Sequence, residues 1–269
     1  MAFAFGYAQS EDHLDPMLIA FRAVKGRSAE VLGEDRLPQD TYALQMRFDE
    51  LAKEAFQTVD PDIRDLCEGF ALGVNTWLLE HPDETPDWAE GIQPHEILSL
   101  LHAFMLAHAP FDLPEADVRD PGIISANAWA VAPEHSTTGA AMLVINPHAQ
   151  FEGIYRWYEA HLVAEGYELA GATIYGLPVL LVGHNELLGW SLAPNKADVA
   201  DLYDENNFQH LKSLERYHDV YFKSGDTLEK HIVTTWYSGD NGPIVATNMG
   251  RPLAWKVGGY GNFTTLNQL

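Results

Sequence analysis

Apolar positions in the first hundred residues recur every third or fourth place, the signature of helices with one buried face. Leu14, Met17, Leu18, Phe21 and Val24 form the first such stripe, and "KGR" after it is a stop signal. Leu44, Phe48, Leu51, Ala52, Ala55, Phe56 and Val59 predict a second helix. Asp60 followed by Pro61 pairs a capping side chain with a proline at the first helical position, so a third helix restarts there. Its stripe runs through Ile63, Leu66, Phe70, Val74, Trp77 and Leu78. "HPDETPDWAEGIQP" reads as an acidic loop without chemistry, and Pro94 opens a fourth helix bearing Ile97, Leu101, Phe104 and Met105.

The texture changes after Pro121-Gly122. "ANAWAVAP", "AAMLVINP", "LPVLLVGHN", "LLGWSLAP", "KHIVTTWYS" and "GPIVATN" are short apolar or alternating runs set off by Gly, Pro and Asn, which predicts strands. Several are apolar on both faces and are expected between layers. No internal repeat is present. The reading is α+β: a helical segment over 1–122 packed on a sheet-rich segment over 123–269.

Composition narrows the partners. The 269 residues suffice for one large domain or two small ones, and 46% hydrophobic residues with no low-complexity tract is a soluble globular composition. A formal charge of -23 excludes nucleic acid as the expected partner, because polyanion binders gather Lys and Arg on one face. The single cysteine, Cys67, sits among apolar residues of the third helix and reads as a buried, inert thiol. No apolar run has transmembrane length. "MAFAFGYAQSEDHL" lacks the positive start of a signal peptide, so the expectation is a cytoplasmic chain or one whose true beginning is missing. His102 and His108 show no metal-ligand spacing and are expected to pack or face solvent; "DLYDEN" is a second acidic loop.

Four stretches together carry a resemblance. They are Ser125-Ala126-Asn127-Ala128-Trp129, "TTGAAMLVINPH", "GLPVLLVGHNELLGWSLAPNKADVADLY", and upstream "FGYAQSEDHL" with "GRSAEVLGED". In this order they are similar to the penicillin acylase family of N-terminal nucleophile hydrolases. In that family a precursor cuts itself before a serine in a Gly-Ser-Asn-x-Trp pattern. The resemblance implies an αββα sandwich, incomplete here at both ends, and cleavage of linear amides through an acyl-enzyme. A serine hydroxyl needs a base. The α-amine freed by the cut, with an ordinary pKa near ~8, is that base. Backbone and side-chain amides then stabilise the oxyanion.

Carried across, the nucleophile position is Ala126, which has no reactive atom. Three explanations stay open: replacement of serine that traps an uncleaved precursor, natural loss of activity, or a one-residue slip that makes Ser125 the nucleophile. The count from Ala126 to His148 matches the family and argues against the slip. His148 takes the position that helps hold the new amine. The oxyanion donor falls at Pro194, which has no N–H, or at Asn195 one residue on. Asp198, the Ala200 carbonyl and Asp201 correspond to calcium ligands in some members, with further ligands needed from elsewhere. No cofactor is required for the chemistry; calcium would be structural. The implied partners are a small-molecule amide (acyl amide, β-lactam or acyl-homoserine lactone) and a complementary C-terminal fragment, in a periplasmic or secreted setting. The alternative is a non-catalytic acyl-ligand-binding or interaction protein that keeps the fold.

Overall fold

The computed structural model describes residues 1–107, 125–149, 152–193, 198–205, 215–248 and 251–263. Among these, the α-helices come first and the strands follow, so the chain is α+β. The helices are α1 (Ala2–Val24), α2 (Ala29–Leu32), α3 (Leu37–Gln45), α4 (Phe48–Ala55), α5 (Pro61–Glu80) and α6 (Pro94–Ala107). The junction expected at 122/123 lies outside the described residues, as does His108.

The first helix starts twelve residues before the apolar stripe does. Its opening turns carry Gly6, Gln9 and Ser10, which look polar in sequence yet are all buried. Gly6 is buried because α1 and α5 cross at backbone contact, and Gln9 because it meets Gly176 and Leu177. A Cβ on Gly73 would stand 2.1 Å from the Phe3 carbonyl oxygen, and one on Gly6 2.3 Å from that of Phe70. The helix kinks at His13 (φ -148°, ψ 46°). Pro16, one turn later, has no N–H for the Asp12 carbonyl and crowds it sterically.

The second predicted stripe is split. Arg47 adopts φ 54°, ψ 33°, ending α3 and starting α4 on a new axis. It is the one non-glycine residue with positive φ among those described. Its guanidinium compensates through a two-pronged contact with Glu50 at 2.9 and 2.7 Å, and it lies over the Tyr237 ring. The break lets both Met46 and Phe48 enter the core. The third and fourth helices start as predicted: Asp60 Oδ1 accepts the Asp62 N–H at 2.9 Å, and Pro94 is the first residue of α6. Cys67 is buried, and burial pushes its thiol up to about 12, which leaves it inert.

Among the described residues the strands form four antiparallel sheets. β1 (Ser125–Val131) pairs with β2 (Met142–His148). β3 (Trp157–Ala164), β4 (Tyr167–Ile174), β5 (Val182–His184) and β6 (Gly189–Trp190) lie in that order. β7 (Ala200–Asp204) is the edge of a second four-stranded sheet completed by β10 (Tyr237–Ser238), β11 (Gly242–Asn248) and β12 (Arg251–Val257), in the order β10-β11-β12-β7. β8 (Arg216–Ser224) and β9 (Thr227–Thr235) form a hairpin. Strands β3, β4, β7, β8 and β12 were not expected. The "LPVLLVGHN" run is strand only at its end, because Leu177, Leu180 and Leu181 turn instead into the helical core.

The expected burial between layers is not found for β1 and β2. Trp129 is 58% exposed, Met142 53% and Val144 48%. A two-stranded ladder satisfies its own backbone, but covering both apolar faces takes further layers that the described residues do not supply.

Polar side chains join helices to sheet. Gln9, fully buried, donates to the Leu177 carbonyl at 3.1 Å and accepts the Gly176 N–H at 2.9 Å. Tyr158 of β3 donates to Asp12 at 2.6 Å. Asp40, also fully buried, accepts the Ser28 N–H and hydroxyl and the Ala29 N–H, capping α2 from a distant segment. Glu90, in the acidic loop after α5, binds Lys25 at 3.0 Å and Arg27 at 2.8 Å. His102 packs, as expected, among Phe48, Tyr260 and Phe263, and its Nε2 accepts the Gly261 N–H at 3.2 Å.

Two outcomes follow for stability. Gly73→Ala gains helix propensity but drives a methyl into the Phe3 carbonyl. Strain outweighs propensity, and the urea midpoint should fall by the equivalent of about 2 kcal/mol rather than rise. His102 is held neutral by burial, which pushes its pKa down to about 4 from 6.5. The unfolded chain therefore takes up the proton first as pH falls. The stability contributed is complete above 6.5 and is lost progressively towards 4, amounting to about 3 kcal/mol. In denaturation curves at pH 7 and pH 4.5, His102→Gln should show a shallower acid loss than the parent chain.

Candidate active site

The β1–β2 hairpin holds the residues to which the resemblance assigns chemistry. Its connection is built from a 3-10 turn at Pro133–His135, a Ser136–Thr138 hydroxyl contact of 2.8 Å and Gly139 at φ 70°. This turn sets a register that runs unbroken to the open end of the ladder. Residue 125 pairs with His148, Ala126 with Pro147 and Asn127 with Asn146. The 125–126 peptide bond therefore lies across from the Pro147–His148 step.

Side-chain alternation refines the picture. Ala126 and Pro147 share one face, and the His148 imidazole leaves on the other. The Ala126 methyl group therefore lies on the opposite face of the ladder from the His148 imidazole. Asn146, two residues before His148 and on its face, brings Nδ2 to 3.1 Å from His148 Nε2. The amide nitrogen donates and His148 Nε2 accepts in this contact. Asn146 was quoted in the motif without a role; the signal for its role is the i, i+2 spacing on a strand. Ala126 and His148 are both half-buried, whereas Asn127 to Val131 are exposed. A Cβ on Gly189 would stand 2.7 Å from Leu143 Cδ2, so β2 approaches the β3–β6 sheet at that glycine.

The remaining assigned residues divide. Pro194 and Asn195 lie outside the described residues. Asp198 and Asp201 are both exposed; Ala200 pairs with Val257 and Asp201 with Lys256. Two exposed carboxylates and one carbonyl fall short of the six to eight oxygens calcium takes. Among the described residues they belong to no group of three converging His, Cys, Asp or Glu ligands. No helix of the described residues is long and apolar enough to cross a membrane.

Comparison with known proteins covers the same ground from another direction. Residues 1–268 match the family described as penicillin amidase. The chain is similar to the acyl-homoserine lactone acylase QuiP of Pseudomonas fluorescens strain Pf0-1, 26% identical over 276 residues that cover 79% of this chain and 34% of that protein. It is similar also to the acyl-homoserine lactone acylase PvdQ of the same strain, 25% identical over 300 residues, or 91% of this chain and 38% of that one. QuiP of Pseudomonas aeruginosa PAO1 is 24% identical over 267 residues, 76% of this chain and 32% of the relative. The chain thus spans about a third of the length of these relatives. With the match running along essentially its whole length, this chain belongs to the penicillin amidase family.

Proposed function

We propose that this chain is the helical part and first strands of an acylase that opens linear amides, with residue 126 at the catalytic N-terminus. As written, with alanine there, it neither cuts its own backbone nor turns over amide. One observation carries the reading: the 125–126 peptide bond sits opposite His148 in the β1–β2 ladder, so a cut there would free an amine beside a histidine already oriented by Asn146. That amine would take the proton of a hydroxyl on the same residue and return it to the leaving group. A methyl group can neither attack a carbonyl nor start the cut. The alternative of a non-catalytic acyl-binding protein rests on Ala126 and on Pro194, which has no N–H to offer an oxyanion.

The rest of the proposal follows the family. Asn195, or the backbone near Pro194, contributes to the oxyanion site. Calcium at Asp198, the Ala200 carbonyl and Asp201 would draw its other ligands from other segments, and no step depends on it. The division at 122/123 belongs here too, with the helical part ahead of the cut and the sheet after it. N-acyl-homoserine lactones are the first substrates to try, since the relatives carry that name; other acyl amides and β-lactams come next. A complementary C-terminal fragment would complete the sheets, and a periplasmic or secreted location suits the family.

Ala126→Ser in a full-length context should yield two chains on a denaturing gel, the second beginning at the new serine by mass spectrometry. The parent should stay a single band without turnover. Adding His148→Ala to the serine variant should slow amide hydrolysis by about 10²-fold. A single uncut band from Ala126→Ser, with no hydrolysis, would remove this reading.

A further inference from the structure

Among the described residues, one group of three metal-ligating side chains has its ligand atoms all within 4.8 Å of one another: Asp49, His95 and Glu96. It lies outside the β1–β2 hairpin and plays no part in the amide chemistry. Asp49 stands in the first turn of α4, and His95 and Glu96 stand in the first turn of α6. Carboxylates are common in first turns, where they face the positive end of the helix dipole. Their placement alone therefore implies no ligand.

Two further features do point to one. Glu96 is 4% exposed; Lys25 Nζ holds Oε1 at 3.0 Å and the Gln93 backbone N–H also acts on the carboxylate, while Oε2 is buried with no partner in hydrogen-bonding geometry. A bare buried carboxylate oxygen is costly unless a cation or donor meets it. Asp49 Oδ1 is likewise buried without a hydrogen bond, although His95 Nε2 lies 3.2 Å away. The imidazole is near enough but off-axis. Two ligands bound to one tetrahedral zinc at about 2.1 Å each stand roughly 3.4 Å apart. The 3.2 Å spacing suits two atoms turned towards a shared third atom.

We propose that Asp49, His95 and Glu96 bind a divalent first-row transition metal of the zinc class, which clips α4 to α6. One imidazole nitrogen and two carboxylate oxygens form a borderline donor set of that class, whereas calcium asks for more oxygens. Three protein ligands leave the fourth position to water. The local charge accommodates a cation: Asp49, Glu96 and Glu90 gather around Lys25, while Glu90 is shared with Arg27. Cys67 takes no part, since its thiol is buried and held protonated.

The test is direct metal binding by the intact chain. After dialysis against a chelator, Zn²⁺ titrated calorimetrically should bind one per chain, at least about 100-fold more tightly than Ca²⁺ or Mg²⁺. Co²⁺ should give the visible bands of a low-coordinate site. His95→Gln and Glu96→Gln should each weaken Zn²⁺ at least tenfold and erase the cobalt spectrum, with circular dichroism unchanged. Asp49→Asn, on a partly exposed residue, serves as the third probe should Glu96→Gln fail to fold. His161→Ala, at the exposed His161–Glu168 pair (3.1 Å), should leave the affinity unchanged. Absence of zinc binding, a preference for calcium, binding unmoved by His95→Gln and Asp49→Asn, or binding lost with His161→Ala would each overturn the proposal.

Discussion

The contact on which the rest of the chain depends is the crossing of α1 and α5. Two glycines, Gly6 and Gly73, let the helix backbones touch, and no side chain larger than hydrogen fits at either point. From that crossing the core spreads: Phe5, Met17, Phe21, Phe70, Val74 and Trp77 meet α6 through Ile97, Leu100 and Phe104. The apolar surface removed from water here supplies most of the driving force. Its position is set by a backbone constraint, not by the volume of any one side chain.

Polar groups inside this core work as connectors. Gln9 reaches out of α1 to the turn after β4, Tyr158 reaches back from β3 to Asp12, and Asp40 caps a short helix eleven and twelve residues before it. Each is an exchange of hydrogen bonds with water for hydrogen bonds within the fold, small in net energy but costly if one partner is lost. Arg22, Lys25 and Arg27 do the same with charge, joined to Glu30, Glu90 and Glu96 in a protein whose carboxylates far outnumber its cations. The network ties the end of α1 to the start of α6, beside the place where α4 and α6 bring Asp49 and His95 together.

The helical half was largely legible because its apolar stripes and stop signals act locally. Val24 before "KGR", Asp60 with Pro61, and Pro94 each mark a boundary that needs no distant partner. The misses occurred where tertiary packing overrode the stripe. Gly6, Gln9 and Ser10 broke the pattern at the start of α1, and Arg47 broke a continuous stripe into two helices. In the sheets, β7 and β8 carry charged residues at Asp201, Asp204, Arg216, Asp219 and Lys223 that obscured their strand pattern, while β3, β4 and β12 were missed although their apolar residues were present. The exposed β1–β2 hairpin contradicted an apolar pattern that promised cover on both faces.

By itself the sequence determined the end of α1, the starts of α5 and α6, the α+β class, the motif series that marks the family, and the alanine at position 126. These are properties of neighbouring residues and of their order. Only the tertiary structure decided that the 125–126 bond faces His148, that Asn146 orients the imidazole, and that Asp49 meets His95 and Glu96 across forty-six positions. Such meetings depend on strand register and helix crossing, and both are fixed by contacts between segments that no local spacing encodes.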